Sequence, residues 1–103
     1  MSFFKTMMNA TKTNGEMAAY LSDGAVVIDV RSKEEFSFGH VKGSENIPLQ
    51  QIPAAIDKLK TRKARYVLCC ASGNRSGQAE RFLSGHGIDC INGGSWQNVA
   101  SAC

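Results

Sequence analysis

Apolar residues fall into two kinds of run along this chain, and the two kinds alternate. Ala25-Val26-Val27-Ile28-Asp29-Val30 is a continuous, β-branched stretch, the pattern of a strand buried on both faces. Tyr66-Val67-Leu68-Cys69-Cys70 is a second such stretch. Shorter strands are predicted at residues 3–8, at Ser44-Glu45-Asn46-Ile47 before Pro48, and at Ile88-Asp89-Cys90-Ile91. Helical spacing occupies the intervals. Thr13-x-x-Glu16 has capping-box form and opens a helix that ends near Asp23-Gly24. A short polar helix is expected from Lys33 to Phe38, stopped by Gly39. Leu49, Ile52, Ile56 and Leu59 recur at helical spacing, with Pro53 tolerated in the first turn. A further helix is predicted from Arg75 to Ser84, with Ala79, Phe82 and Leu83 inward, ending at Gly85-His86-Gly87; Gly93-Gly94 then leads into a terminal turn or helix. Strictly alternating strands and helices imply an α/β fold with an open, mostly parallel sheet of about five strands and helices on both faces.

Length and composition narrow this picture. The 103 residues have room for one domain, 1–103, and 43% apolar residues suffice for its core. With 20% charged residues and two prolines, wholesale disorder is not expected. The net charge of +3 gives no argument for a nucleic-acid or membrane partner. No apolar run approaches the roughly 20 residues of a spanning helix, and the Met1–Asn9 start lacks a long apolar signal core. The expectation is a cytoplasmic protein, unless a leader has been removed. The four cysteines, Cys69, Cys70, Cys90 and Cys103, form no C-x-x-C pair and no zinc-type cluster, so they read as thiols in a reducing compartment, with no metal expected.

Parallel sheets bind ligands beyond the carboxyl ends of their strands. At that end of 66–70 the chain reads Cys70-Ala71-Ser72-Gly73-Asn74-Arg75-Ser76 and then enters a helix. An isolated cysteine at a strand end would read as packing. Here the thiol faces a helix N-terminus across a short loop of small residues, whose N–H groups can converge on an anion. Arg75 adds a permanent charge, and each of these features favours thiolate over thiol at Cys70.

Two stretches then carry a family resemblance. One is Ile28-Asp29-Val30-Arg31, Glu35-Phe36, Gly39-His40-Val41, Gly43 and Asn46-Ile47-Pro48; the other is Cys70-x-x-Gly73-Asn74-Arg75-Ser76, with Gly93-Gly94 downstream. Together they cover most of the chain, from about residue 25 to 96. The chain resembles a single-domain rhodanese, a sulfurtransferase of the thiosulfate:cyanide type. The resemblance implies a five-stranded α/β fold and a catalytic cysteine at Cys70. It implies a substrate cradle formed by Ala71, Ser72, Gly73, Asn74, Arg75 and Ser76, a persulfide intermediate, and no metal or organic cofactor. The family pattern also suggests that Asp29 and Arg31 brace the site. The implied partners are a small sulfur donor and acceptor, such as thiosulfate and cyanide or a thiol, with a protein persulfide as a further donor or acceptor. Ala71 stands where thiosulfate-using members often carry a cationic or larger polar residue, which points toward a persulfide donor.

Other residues receive plainer readings. His40 and His86 are expected to make structural hydrogen bonds, Trp96 and Phe36 to pack, and Cys90 to be an inert strand residue. Lys58, Lys60, Arg62, Lys63 and Arg65 exceed the whole net charge and are expected to be a solvated helix end. Alternatives stay open: counted from Cys69 the spacing becomes Cys-x5-Arg75-Ser76, the form of cysteine-dependent phosphatases and arsenate reductases, and a non-catalytic binding module would share the fold. The Gly73-to-Ser76 register relative to Cys70, and strand alternation that turns Cys69 away from the loop, favour the sulfurtransferase reading.

Overall fold

A computed structural model of the chain describes residues 15–103. The strand expected at 3–8 and Thr13 of the first capping box lie outside the described residues. The elements run α1 (15–22), β1 (Val26–Asp29), α2 (Lys33–Ser37), β2 (Glu45–Asn46), two 3-10 turns (Leu49–Gln51 and Pro53–Ala55), α3 (Ile56–Arg62), β3 (Tyr66–Cys70), α4 (Asn74–Gly85), β4 (Cys90–Ser95) and α5 (Trp96–Ala102). Among the described residues the sheet has four strands in the order β2-β1-β3-β4, every neighbouring pair parallel. The α/β alternation read from the sequence is therefore the architecture. No helix among the described residues is long and apolar enough to cross a membrane.

β3 is central, and all five of its residues are buried. Successive side chains leave a strand on opposite faces, which sorts the apolar residues into two cores. Ile28, Leu68 and Cys70 pack with Leu59, Ala79 and Leu83 on one face. Val27, Val67 and Cys69 pack with Met17, Tyr20 and Val99 on the other. Burying a side chain of this size contributes about 1.5–3 kcal/mol, so the β-branched run stabilises the sheet from both sides at once. Cys69 and Cys70 consequently belong to different cores.

Several boundaries differ from the sequence expectation. The 49–59 periodicity is not one helix. Pro53 supplies no N–H to an α-helical ladder, and the segment resolves into two 3-10 turns before α3 begins at Ile56. Phe82, expected inward, is 37% exposed and packs its ring near that of His86. β4 runs further than expected, through Gly93 and Gly94 to Ser95. A β-carbon at Gly93 would sit 2.6 Å from Val99 Cγ2 and 2.8 Å from Val67 Cγ1, so α5 packs against β3 only because position 93 has no side chain. The β3–β4 register slips between Leu68, opposite Asn92, and Cys70, opposite Ser95. This irregularity brings the Asn92-Gly93-Gly94 backbone alongside the end of β3.

Because every strand pair is parallel, Asp29, Asn46, Cys70 and Ser95 all finish at one edge. Asn46 ties β2 to β1 there, its Nδ2 donating to the carbonyls of Asp29 and Arg31 at 2.9 Å each. The opposite edge holds part of the basic run: Arg62 pairs with Glu45 at 2.7 Å, and Arg65 pairs with Asp23 and Asp89.

Candidate active site

The chain leaves β3 at Cys70 and must reverse within three residues to start α4. Gly73 makes the reversal with φ +95°, and a β-carbon there would meet Gly94 Cα at 3.2 Å. Both the left-handed backbone and the close approach of β4 require glycine. The turn directs the first N–H groups of α4 back at the cysteine. Cys70 Sγ accepts from Gly73 N–H at 3.0 Å and from Ser76 N–H at 3.4 Å, and the Ser76 hydroxyl lies 3.4 Å away. These are the orphan donors of a helix start, and here they converge on sulfur.

The two neighbouring thiols are driven in opposite directions. Burial alone would raise Cys70, but hydrogen bonds from the Ser76 hydroxyl and from the Ser76, Ser72 and Gly73 N–H groups stabilise its thiolate and bring it below the ordinary thiol value. Burial pushes Cys69 up to about 12, with the Asp29 carboxylate adding to the rise.

A staple from β4, which the sequence reading did not anticipate, holds the loop. The Ser76 hydroxyl contacts Asn92 Oδ1 at 2.7 Å, so its one proton is shared between that oxygen and the sulfur. Asn92 Oδ1 also accepts from Gly94 N–H, and Asn92 Nδ2 donates to the Gly73 carbonyl, both at 3.0 Å. The only sequence hint was the adjoining Gly93-Gly94 pair. Ser72, Gly73 and Asn74 on one side, with Asn92, Gly94 and Asn98 on the other, border a polar groove of about 400 Å³ outside the loop.

Asp29 and Arg31 meet at the end of β1. Arg31 Nε donates to Asp29 Oδ1 at 2.9 Å and Nη2 to Oδ2 at 2.7 Å, with both residues buried. The pair raises the Arg31 guanidinium further, the Asp29 hydrogen bonds being the main cause. Arg31 also donates to the carbonyls of Gly39 and Glu35 and lies over the Trp96 ring at 5.1 Å. It thereby joins β1, α2 and α5.

Arg75, expected to supply a permanent charge in the loop, is paired with Glu35. Its Nη1 and Nη2 donate to the two carboxylate oxygens of Glu35 at 2.7 and 2.9 Å, a bidentate pair across 40 positions of sequence. Glu35 is held from its other side by the Ser32 capping box of α2. The Arg75 bond, with the Ser32 N–H second, lowers its carboxyl to about 2. The loop thus brings together Cys70, Gly73, Ser76 and Arg75, while Ala71, Ser72 and Asn74 are exposed along its outer side.

The remaining candidates lie apart from the sulfur. His40 stacks on Phe36 with its Nδ1 2.7 Å from the Phe36 carbonyl, and His86 contacts the Phe82 carbonyl at 2.9 Å. Cys90 is half-buried beside Ser84, and Cys103 is exposed. Among the described residues no group of three or more His, Cys, Asp or Glu side chains is arranged to hold a metal ion. The arrangement at Cys70 aims fixed N–H dipoles at the sulfur and favours its thiolate, an environment suited to nucleophilic attack and to holding negative charge.

Comparison with known proteins agrees in extent with this region. Residues 13–101 match the family model described as Rhodanese-like domain. The chain is similar to the uncharacterized protein YqhL of Bacillus subtilis, 41% identical over 63 residues, which are 61% of this chain and 49% of that one. It therefore spans about half the length of that relative. It is also similar to the thiosulfate sulfurtransferase PspE of Escherichia coli, 37% identical over 79 residues, covering 71% of this chain and 72% of that one. Among solved structures, a rhodanese with anions from E. coli superposes with TM-score 0.67 at 32% identity, over 75% of this chain and 93% of that one.

Proposed function

The chain belongs to the rhodanese-like domain family, and we propose that it works as a sulfurtransferase carrying a sulfane sulfur on Cys70. The observation that carries this reading is the Cys70 sulfur held by the Gly73 and Ser76 N–H groups, at 3.0 and 3.4 Å. In the first half-reaction the Cys70 thiolate attacks the outer sulfur of the donor. A new S–S bond forms to Cys70, the donor's own S–S bond breaks, and its electron pair leaves with sulfite (from thiosulfate) or with a thiolate (from a persulfide). The product Cys70–S–S⁻ carries one negative charge on its outer sulfur, where the loop dipoles stabilise it as they would an oxyanion. In the second half-reaction cyanide or a thiolate attacks that outer sulfur, and the bond to Cys70 breaks with return of the electron pair. Thiocyanate or a new persulfide leaves, and the thiolate is regenerated. The loop hydrogen bonds favour the thiolate, which lightens the demand for a general base.

Cys70 is buried and Ala71, Ser72 and Asn74 beside it are exposed, so in this reading a donor enters from that side of the loop. Acceptors in this reading are small nucleophiles or the thiol of a protein partner. A mechanism that runs on a thiolate suits a reducing compartment, and we assign it to the cytoplasm. The Cys69 register of a phosphatase loop has no comparable support, since Cys69 packs in the opposite core and its thiol is pushed up to about 12.

The test is intact mass. Exposure to thiosulfate or a persulfide should add the mass of one sulfur atom, and cyanide should remove it. A protein that gains no sulfur from any donor is a binding module rather than an enzyme.

A further inference from the structure

We propose that Glu35 is a specificity-determining residue that makes the site favour singly charged persulfide donors over the thiosulfate dianion. The inference rests on the sulfurtransferase reading and concerns which donor that site accepts. Five positions after Cys70, Arg75 is the cation the loop offers to an incoming anion, and the thiol and the guanidinium lie within electrostatic reach of each other. Both outer nitrogens of that guanidinium donate to the Glu35 carboxylate, at 2.7 and 2.9 Å, so its charge is compensated and its end-on face is taken before a sulfonate arrives. Arg31, a second guanidinium at this edge, is compensated by Asp29 through its Nε and Nη2 side.

The pair is held as well as formed. Ser32 N–H and its hydroxyl both donate to Glu35 Oε1, at 3.0 and 3.1 Å, so the carboxylate is fixed by the start of α2 as well as by Arg75. The net charge contributed by Glu35 and Arg75 together is zero. What remains at the sulfur is a set of neutral N–H dipoles, sufficient for one negative charge. Thiosulfate brings two. When its outer sulfur is attacked, sulfite departs with both charges, with no uncompensated Arg75 cation to attract them. An alkyl persulfide carries at most one charge at the reacting sulfur and releases a thiolate with one.

The experiment compares kcat/KM for thiosulfate and for 2-hydroxyethyl persulfide, whose carrier is uncharged, in the wild type and two variants. Glutamine can keep the capping box at the third helical position, so Glu35→Gln removes the charge and retains the cap. The ratio of thiosulfate to persulfide kcat/KM should rise about tenfold in Glu35→Gln, the size of a partly screened unit-charge interaction. It should fall about tenfold in Arg75→Gln, which leaves the Glu35 carboxylate uncompensated. Both changes should shrink in high salt. A clamp that serves structure alone would move both variants in the same direction or leave the ratio unchanged, and either result overturns the role of Glu35. A wild type that takes up sulfur from neither donor overturns the sulfurtransferase reading itself.

Discussion

Replacing Ser76 by alanine isolates one of the groups that stabilise the Cys70 thiolate. The hydroxyl lies 3.4 Å from the sulfur and 2.7 Å from Asn92 Oδ1. A hydrogen bond to a charged group contributes about 1.5–3 kcal/mol, a neutral one about 1 kcal/mol. The sulfur contact is long and its proton is shared, so about 1 kcal/mol is the appropriate share, equivalent to somewhat under one pKa unit. The Gly73 and Ser76 N–H groups remain, and Asn92 Oδ1 still accepts from Gly94 N–H, so alanine leaves no orphaned oxygen. The pH profile of Cys70 alkylation by iodoacetamide, followed by peptide mass, should shift upward by somewhat under one unit. Stability supplies a second readout. A thiol whose folded pKa is depressed contributes stability that is fully present above the unfolded value and is lost as pH falls through the folded value. The stability deficit of Ser76→Ala against the wild type in urea melts should therefore grow from pH 6 toward pH 9. An unmoved alkylation profile, or a deficit of several kcal/mol that does not vary with pH, would show that the hydroxyl serves packing and not the thiolate.

Further outcomes follow from the same geometry. Cys70→Ser should abolish turnover and the persulfide mass increment, whereas Cys69→Ser should keep the increment and lose about 1–3 kcal/mol from a hydroxyl placed in the opposite core; intact mass and activity of the two variants side by side decide it. Asp29→Ala should destabilise the fold by about 3–5 kcal/mol, because it strands a buried guanidinium, and the expected drop in melting temperature is about 15–30 °C; a variant that melts like the wild type but is inactive would make Asp29 catalytic. Changing Lys58, Lys60 and Lys63 to glutamine should leave turnover of small donors unchanged in a steady-state assay, since the ion pairs of Arg62 and Arg65 put the run at the sheet edge away from Cys70.

Most of the candidate site's layout was legible from local pattern. The β-branched runs at 25–30 and 66–70 specify buried parallel strands, because a strand buried on both faces leaves no polar alternation. The two-residue period separates Cys69 from Cys70, and the small residues after Cys70 announce a loop that closes on a helix start. Each of these signals lies within about one element, where side-chain period and backbone freedom act directly.

Tertiary structure decided the rest. Pro53 divides the 49–59 run because periodicity reports which face is apolar but not whether the N–H ladder is continuous. Gly93 is required by Val67 and Val99, residues whose approach depends on how α5 lands on the sheet. Asn92 staples the loop only because the β3–β4 register slips beside it. Arg75 read in sequence as a permanent charge without a named partner, and that partner, Glu35, lies 40 positions away on α2. A charge has no periodicity that names its counterion. The pairing exists because the parallel sheet returns the end of β1, with the helix that follows it, to the same edge as the end of β3, and that docking is a property of the folded chain alone.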